Sequence, residues 1–361
     1  MTEPSTPISR LALHVLVLGA WPLAGGTGCI VPQSLDLPAP IRELAEPEDG
    51  AKYFLYVPSH CEKGQPLPLV VTCHGTPPWD TARRQIQEWA DLAEHKRFIV
   101  TAPELTGTRG DFLPSPEAQI RRQNVDEQRI LSVVRHIQAG YSVMPDRIFL
   151  TGWSAGSFAV LHTGLKNPNL FRALAIRQGN FDERYLTQTL PFLDHYQPVY
   201  VLRGVTDILV KEQTKASLQW LRDQKMYVFE EETTGSHKRL PETAFRFFRM
   251  VIKREPLLQV QAFDPVGGND MTVAFNVRTS PEPIAYLWQF GDKELSREPE
   301  PSHVYKKPGQ YEVQLTVRYA NKKQRIRKVQ IQVPRLRIGT GGMMVGPSSR
   351  PASRPRSQPA K

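Results

Sequence analysis

The sequence predicts an α/β protein: a mostly parallel sheet flanked by helices, followed by a β-sandwich. Three observations carry this. Between Ala51 and Arg254, short apolar runs alternate with amphipathic stretches of helical period, as strands and crossover helices do in a parallel sheet. After Glu255 the apolar period becomes two, with turn residues between short runs. The segment Gly152-Trp-Ser-Ala-Gly156 stands between a strand-like and a helix-like run.

The chain begins with polar residues and Arg10, then an apolar run, Leu11–Ala24. That run fits the hydrophobic region of an export signal and is short for a bilayer span. Small residues follow up to Cys29, the pattern of a bacterial lipobox, although Gly26 stands where an aliphatic residue is usual. Residues 1–29 are therefore expected to be a signal peptide, with Cys29 a candidate lipidation site and the alternative an ordinary signal. The expected location is periplasmic, cell-surface lipoprotein or secreted, with a lipid anchor as one route to the membrane. Residues 30–50 are Pro-rich and acidic and are expected to be a linker.

Strands are expected at 53–57, 68–73, 98–102, 147–151, 173–177, 199–202 and 226–229. Helices are expected at 81–95, 125–138, 157–165, 214–224 and 241–253. In the second module the strands fall at 259–263, 272–277, 285–290, 311–319 and 325–333. From 335 to 361, Gly, Ser, Pro and Arg dominate without apolar period, which predicts a disordered tail.

With 361 residues there is room for two domains at roughly 100–200 residues each. The net charge of +10 does not mark a nucleic-acid binder. Residues 318–361 hold 12 Lys/Arg and no acidic residue, so the rest carries 34 basic and 36 acidic residues, a net of −2. No specific nucleic-acid partner is expected, and the basic end is a solvated tail or a contact for anionic surfaces. The three cysteines, Cys29, Cys61 and Cys73, fit no zinc spacing. Cys61 and Cys73 are either a disulfide or two separate thiols.

A G-x-S-x-G segment in strand–turn–helix context presents its Ser at the top of a sheet. Ser154 is the candidate nucleophile, and the N–H of Ala155, at the helix start, is a candidate oxyanion donor. A Ser nucleophile needs a base, and the base an orienting carboxylate, in the chain order Ser, acid, His. Asp207 follows the strand 199–202, and His237 lies in the loop before the last helix. Asp194 is the alternative acid. His195 is the alternative base, but it precedes the acid strand. The second oxyanion donor is expected after the strand 68–73, in His74-Gly-Thr-Pro-Pro78. Pro77 and Pro78 have no N–H, which leaves Gly75 or Thr76, with Thr76 favoured. His74 is expected to order this loop. Trp153 and Phe181 are candidate substrate-pocket residues, and the segments Asp111-Phe112 and Gln178-Gly-Asn-Phe181 lie on loops at the carboxyl edge, where specificity residues usually sit.

Residues 51–254 resemble the α/β-hydrolase superfamily, nearest to its poly(3-hydroxybutyrate) depolymerase, feruloyl esterase and acetylxylan esterase branch. The matching segments are Tyr53–Pro58, Pro68–Gly75, Asn124–Asp126, Pro145–Gly156, Arg203–Asp207 and Gly235–His237. The resemblance implies the α/β-hydrolase fold, with Asp207 and His237 as acid and base. Ser157 departs from a frequent Gly, and Thr76-Pro-Pro78 departs after His-Gly. Residues 257–334 resemble a PKD domain, an immunoglobulin-like β-sandwich, through Tyr286–Asp292 and His303–Val317, with Lys293 replacing a usual Gly. Such a module implies a spacer or a contact to polysaccharide or cell surface. The expected activity is ester hydrolysis, on a substrate that includes polysaccharide-linked acyl groups or polyester, with no metal or organic cofactor. A prolyl-oligopeptidase-like peptidase and a non-catalytic surface-binding protein are the alternatives.

Overall fold

The computed structural model describes residues 37–62, 64–109, 115–265 and 269–334. The expected signal segment with Cys29, Asp111 and Phe112, and the expected tail at 335–361 lie outside these residues.

The first module is one eight-stranded sheet. Its strands are β1 (Arg42–Ala45), β2 (Lys52–Tyr56), β3 (Leu67–Cys73), β4 (Ile99–Pro103), β5 (Val143–Ser154), β6 (Ala173–Gly179), β7 (Pro198–Gly204) and β8 (Tyr227–Thr233). They lie in the order β1-β2-β4-β3-β5-β6-β7-β8. β1 and β2 are antiparallel to their neighbours, and the strands from β4 to β8 run parallel. All the carboxyl ends of the parallel strands therefore meet along one edge, where α/β sheets bind ligands.

Among the described residues, five α-helices cover the sheet: α1 (Ala82–Lys96), α2 (Pro116–Gly140), α3 (Gly156–Lys166), α4 (Lys211–Asp223) and α5 (Pro241–Arg254). Strand residues alternate between the faces. Leu69, Val71 and Cys73 pack with α2, α3 and α4, whereas Val70, Val100 and Phe149 pack with Trp89 of α1 and Phe248 of α5. A parallel sheet needs cover on both faces, and these two cores supply it.

Two expectations are corrected. Residues 42–45, expected within a linker, form edge strand β1. α2 begins nine residues before its expected start: the Ser115 hydroxyl accepts from the Ala118 N–H at 3.3 Å and Pro116 opens the helix, a favourable N-terminus. Cys61 and Cys73 are both free thiols, which settles that alternative.

The second module has a three-stranded sheet, β13 (Ser302–Val304), β10 (Thr272–Ser280) and β9 (Leu257–Phe263). It faces a four-stranded sheet, β12 (Leu295–Ser296), β11 (Ala285–Gln289), β14 (Gly309–Arg318) and β15 (Gln324–Val333). All pairings are antiparallel, and Val273, Phe275, Trp288, Val313, Leu315 and Val317 form the core between the sheets. The short strands β12 and β13 were not expected. Lys293, at the usual Gly position, takes φ 79°.

The sandwich packs on the amino edge of the parallel sheet. Arg278 donates to the carbonyls of Pro145 and Asn169, and Gln259 Nε2 to that of Pro168 at 2.6 Å. Arg172, one residue before β6, donates to the Glu255 carbonyl at 2.8 Å. Arg327 of β15 pairs with Asp194, with both side chains more than nine-tenths buried. Among the described residues, no helix is long and apolar enough to cross a membrane.

Candidate active site

Ser154 ends β5 at φ 54°, in the left-handed region that costs an L residue about 1–2 kcal/mol. The turn is held by lack of space. A Cβ on Gly152 would sit 2.5 Å from the Gly156 carbonyl oxygen, and one on Gly156 would sit 2.3 Å from that of Cys73. The two glycines let the turn close, and the turn lifts Ser154 to the carboxyl edge. Ser157 bonds the Ser154 carbonyl at 2.8 Å and also the Asn180 carbonyl. A Cβ at Gly179 would lie 2.5 Å from that of Ser157, so Ser157 and Gly179 fit as a pair.

His237 Nδ1 lies 2.7 Å from Asp207 Oδ2, and Asp207 is buried just after β7. The other Asp207 oxygen, Oδ1, accepts the amides of Leu209 and Val210 at 3.0 and 3.3 Å. With the carboxylate on Nδ1, the imidazole keeps Nε2 for a proton acceptor's role. The Ser154 hydroxyl donates to Asn180 Oδ1 at 3.3 Å rather than to His237. The alternatives lie elsewhere. Asp194 is bound to Arg327 at the amino edge, and His195 Nδ1 meets the Gln224 carbonyl at 2.9 Å.

The loop after β3 folds over the nucleophile. A Cβ at Gly75 would come within 3.2 Å of the Ser154 Cβ and 3.0 Å of the Trp153 ring. The Gly75 N–H is committed to Asp80 Oδ2 at 2.7 Å, which leaves Thr76 as the oxyanion candidate on this loop. Ala155 caps α3, whose N-terminus favours negative charge. His74 Nε2 accepts the Leu105 amide at 3.0 Å, so Nδ1 carries the proton and donates to the Gly75 carbonyl at 2.7 Å. Burial holds this imidazole below its usual range, and it serves the loop as a neutral ring.

Beneath the loop lies a buried polar network that the sequence did not disclose. Asp80 Oδ1 accepts Arg239 Nε at 3.0 Å, and Arg239 stacks 4.7 Å from the Trp153 ring centre. Arg177 is fully buried, donates to the Arg239 carbonyl at 2.6 Å and to Gln85 Oε1 at 2.9 Å, and burial brings its guanidinium down to about 10. Asp126 receives the Thr106 and Gly107 amides, each at 2.7 Å, while burial keeps its carboxyl above the usual range.

Trp153 packs its ring 4.4 Å from that of His237, which makes it a wall of the site. Phe181 faces Trp220 of α4 at 6.0 Å. Its amide and Asn180 Nδ2 both donate to Gln213 Oε1 at 3.0 Å. Asn180 lies in the segment Gln178–Phe181 expected at this edge for specificity, whereas sequence reasoning missed Gln213, because its place on α4 does not disclose which loop its side chain meets. Among the described residues, no group of three or more His, Cys, Asp or Glu could hold a metal ion.

Residues 92–201 match the prolyl oligopeptidase family, and residues 254–333 match the PKD domain. Poly(3-hydroxyalkanoate) depolymerase C of Paucimonas lemoignei is 29% identical over 121 residues, 32% of this chain. The alignment spans 29% of that protein's length. Among solved structures, a ferulic acid esterase of Anaeromyces mucronatus is 15% identical with a TM-score of 0.46, over 60% of this chain and 91% of that one. Esterase PE8 is 19% identical with a TM-score of 0.45, over 58% of this chain and 100% of that one. The PKD1 domain of Vibrio anguillarum Epp is 26% identical over 22% of this chain and 92% of that one, with a TM-score of 0.20.

Proposed function

We propose that the chain is a hydrolase of the serine esterase superfamily, an exported esterase in which Ser154, His237 and Asp207 act as nucleophile, base and orienting acid. The observation that carries this reading is the 2.7 Å contact of His237 Nδ1 with buried Asp207, at the edge where Ser154 stands on its left-handed turn.

On substrate binding, the Ser154 hydroxyl turns from Asn180 to His237 Nε2; catalytic hydrogen bonds commonly tighten only in the complex. Oγ attacks the ester carbonyl as His237 takes its proton. The tetrahedral oxyanion is held by the N–H groups of Ala155 and Thr76, each worth about 10²–10³ in rate. Collapse breaks the bond to the alcohol, which leaves with the proton from His237, and an acyl-Ser154 ester remains. Water, deprotonated by His237, then releases the carboxylic acid and restores the hydroxyl.

The relation to a depolymerase supports a polymeric ester, polyester or acylated polysaccharide, as substrate. The PKD domain supports contact with a polysaccharide or cell surface. Cys29 remains the candidate lipid anchor, to be checked by mass spectrometry of the mature N-terminus. The match of residues 92–201 to the prolyl oligopeptidase family favours a second reading, a peptidase using the same three residues.

The test is hydrolysis of p-nitrophenyl esters of increasing chain length beside peptide p-nitroanilides, by wild type and Ser154→Ala. Ester turnover lost in the variant is expected. Turnover of the anilides alone would select the peptidase. Inert wild type that no fluorophosphonate labels would reject both readings.

A further inference from the structure

The strand beside the nucleophile carries a second irregularity. Trp153 pairs with Arg177 and Ser154 with Gly179, so Gln178 is an extra residue in β6, a bulge opposite the Ser154 turn. Gln178 takes φ 47°. Bulges next to active sites re-aim a side chain, and this one turns the Gln178 amide sideways across β7. It is fully buried.

There it meets the loop that bears His237. Gln178 Nε2 donates to the Ser236 carbonyl at 2.9 Å, and Gln178 Oε1 accepts the Lys238 amide at 2.5 Å. One amide thus grips the backbone on both sides of His237, and it matches a donor and an acceptor that only a carboxamide of this length can serve together. Space for it is made by Gly204, where a Cβ would come within 2.5 Å of Gln178 Nε2. The neighbouring Arg177 holds the next carbonyl, that of Arg239, at 2.6 Å.

We propose that Gln178 is a positioning residue that fixes the His237 loop in register with Ser154 through this double hydrogen bond. This rests on His237 being the base. The bulge that seats Gln178 is hydrogen-bonded across to the strand that ends in Ser154, so the nucleophile and the base are set by two adjoining strands. Left-handed backbone persists where the surroundings enforce it, and here it serves placement of the base.

Gln178→Met tests it, since Met keeps the length and volume but cannot grip either backbone group. Gln178→Glu keeps the acceptor for the Lys238 amide and loses the donor. Both are compared with wild type for kcat, KM, melting temperature and the rate of fluorophosphonate labelling of Ser154. A misplaced base predicts a loss of about 10² in kcat and a parallel loss in labelling for Met, with KM little changed and Glu in between. If Met does not fold, Glu carries the test, with a loss of about tenfold expected. A folded variant with kcat within about twofold of wild type, or a change in KM alone, overturns the proposal. Ser154→Ala and His237→Ala run alongside. If these retain turnover, the triad reading fails, and the role of Gln178 fails with it.

Discussion

Two aspartates bracket β7, and the same carboxylate does different work at its two ends. Asp194, before the strand, is buried against Arg327 of the sandwich. Asp207, after it, is buried against His237. The partner decides the difference. A guanidinium stays charged at neutral pH and gives a fixed joint, whereas an imidazole can take up and release a proton there. The amino edge of the sheet thereby holds the attachment to the sandwich, and the carboxyl edge holds the residues proposed for chemistry.

The largest expected effect would break this contrast if it were misplaced. Asp207→Asn should lower kcat by about 10⁴, the scale for loss of the orienting carboxylate in a Ser-His-Asp set. Asp194→Ala should leave kcat nearly untouched in the same ester assay. Equal effects of the two substitutions would mean that the edges are not functionally distinct.

Stability should respond the other way. Asp194→Ala strands a buried Arg327 charge, and losing one partner of a buried pair costs about 3–5 kcal/mol. Calorimetry should place that loss in the sandwich transition, and limited proteolysis should cut near residues 254–257 sooner than in wild type.

Gly156→Ala sharpens the carboxyl edge itself. Its Cβ would press on backbone, the Cys73 carbonyl, and backbone cannot yield as a flexible side chain does. We expect about 1–3 kcal/mol of destabilisation by denaturant melting, with esterase activity lost beyond what the melt accounts for. The smallest effect is Lys293→Gly, far from either edge. Lys293 sits at φ 79°, so the Gly should raise the stability of the sandwich by about 1 kcal/mol with unchanged kcat.

The sequence made the parallel core legible because each buried strand is a continuous apolar run, such as Leu67–Cys73, punctuated by amphipathic helices. Edge strand β1 escaped notice because Arg42-Glu-Leu-Ala45 is short, polar and mostly exposed, without the alternation that marks a half-buried strand. The first turns of α2 were missed for a similar reason, although Ser115 followed by Pro116 is a start signal that could have extended it. At the site, Ser154, Asp207 and His237 follow from motif and chain order. Gln178 and Asn180 fall in a segment expected to bear specificity, but their contacts, like those of Gln213 on α4, do not follow from sequence, since they depend on a bulge and on elements brought together from separate strands. Phe181, expected in the pocket, has its ring 6.0 Å from that of Trp220 on α4.

The place where the sandwich is fastened has a consequence for how the protein would meet a solid. Six residue steps, from Ile148 to Ser154, separate the docked floor of the sheet from its reactive rim, about 20 Å of extended chain. A surface gripped through the end of the sandwich away from this joint would lie behind the molecule, with the carboxyl edge turned outward. If the sandwich grips in that way, the proposed esterase would work on chains that reach it from solution or loop up past it, and not on the ground it stands on.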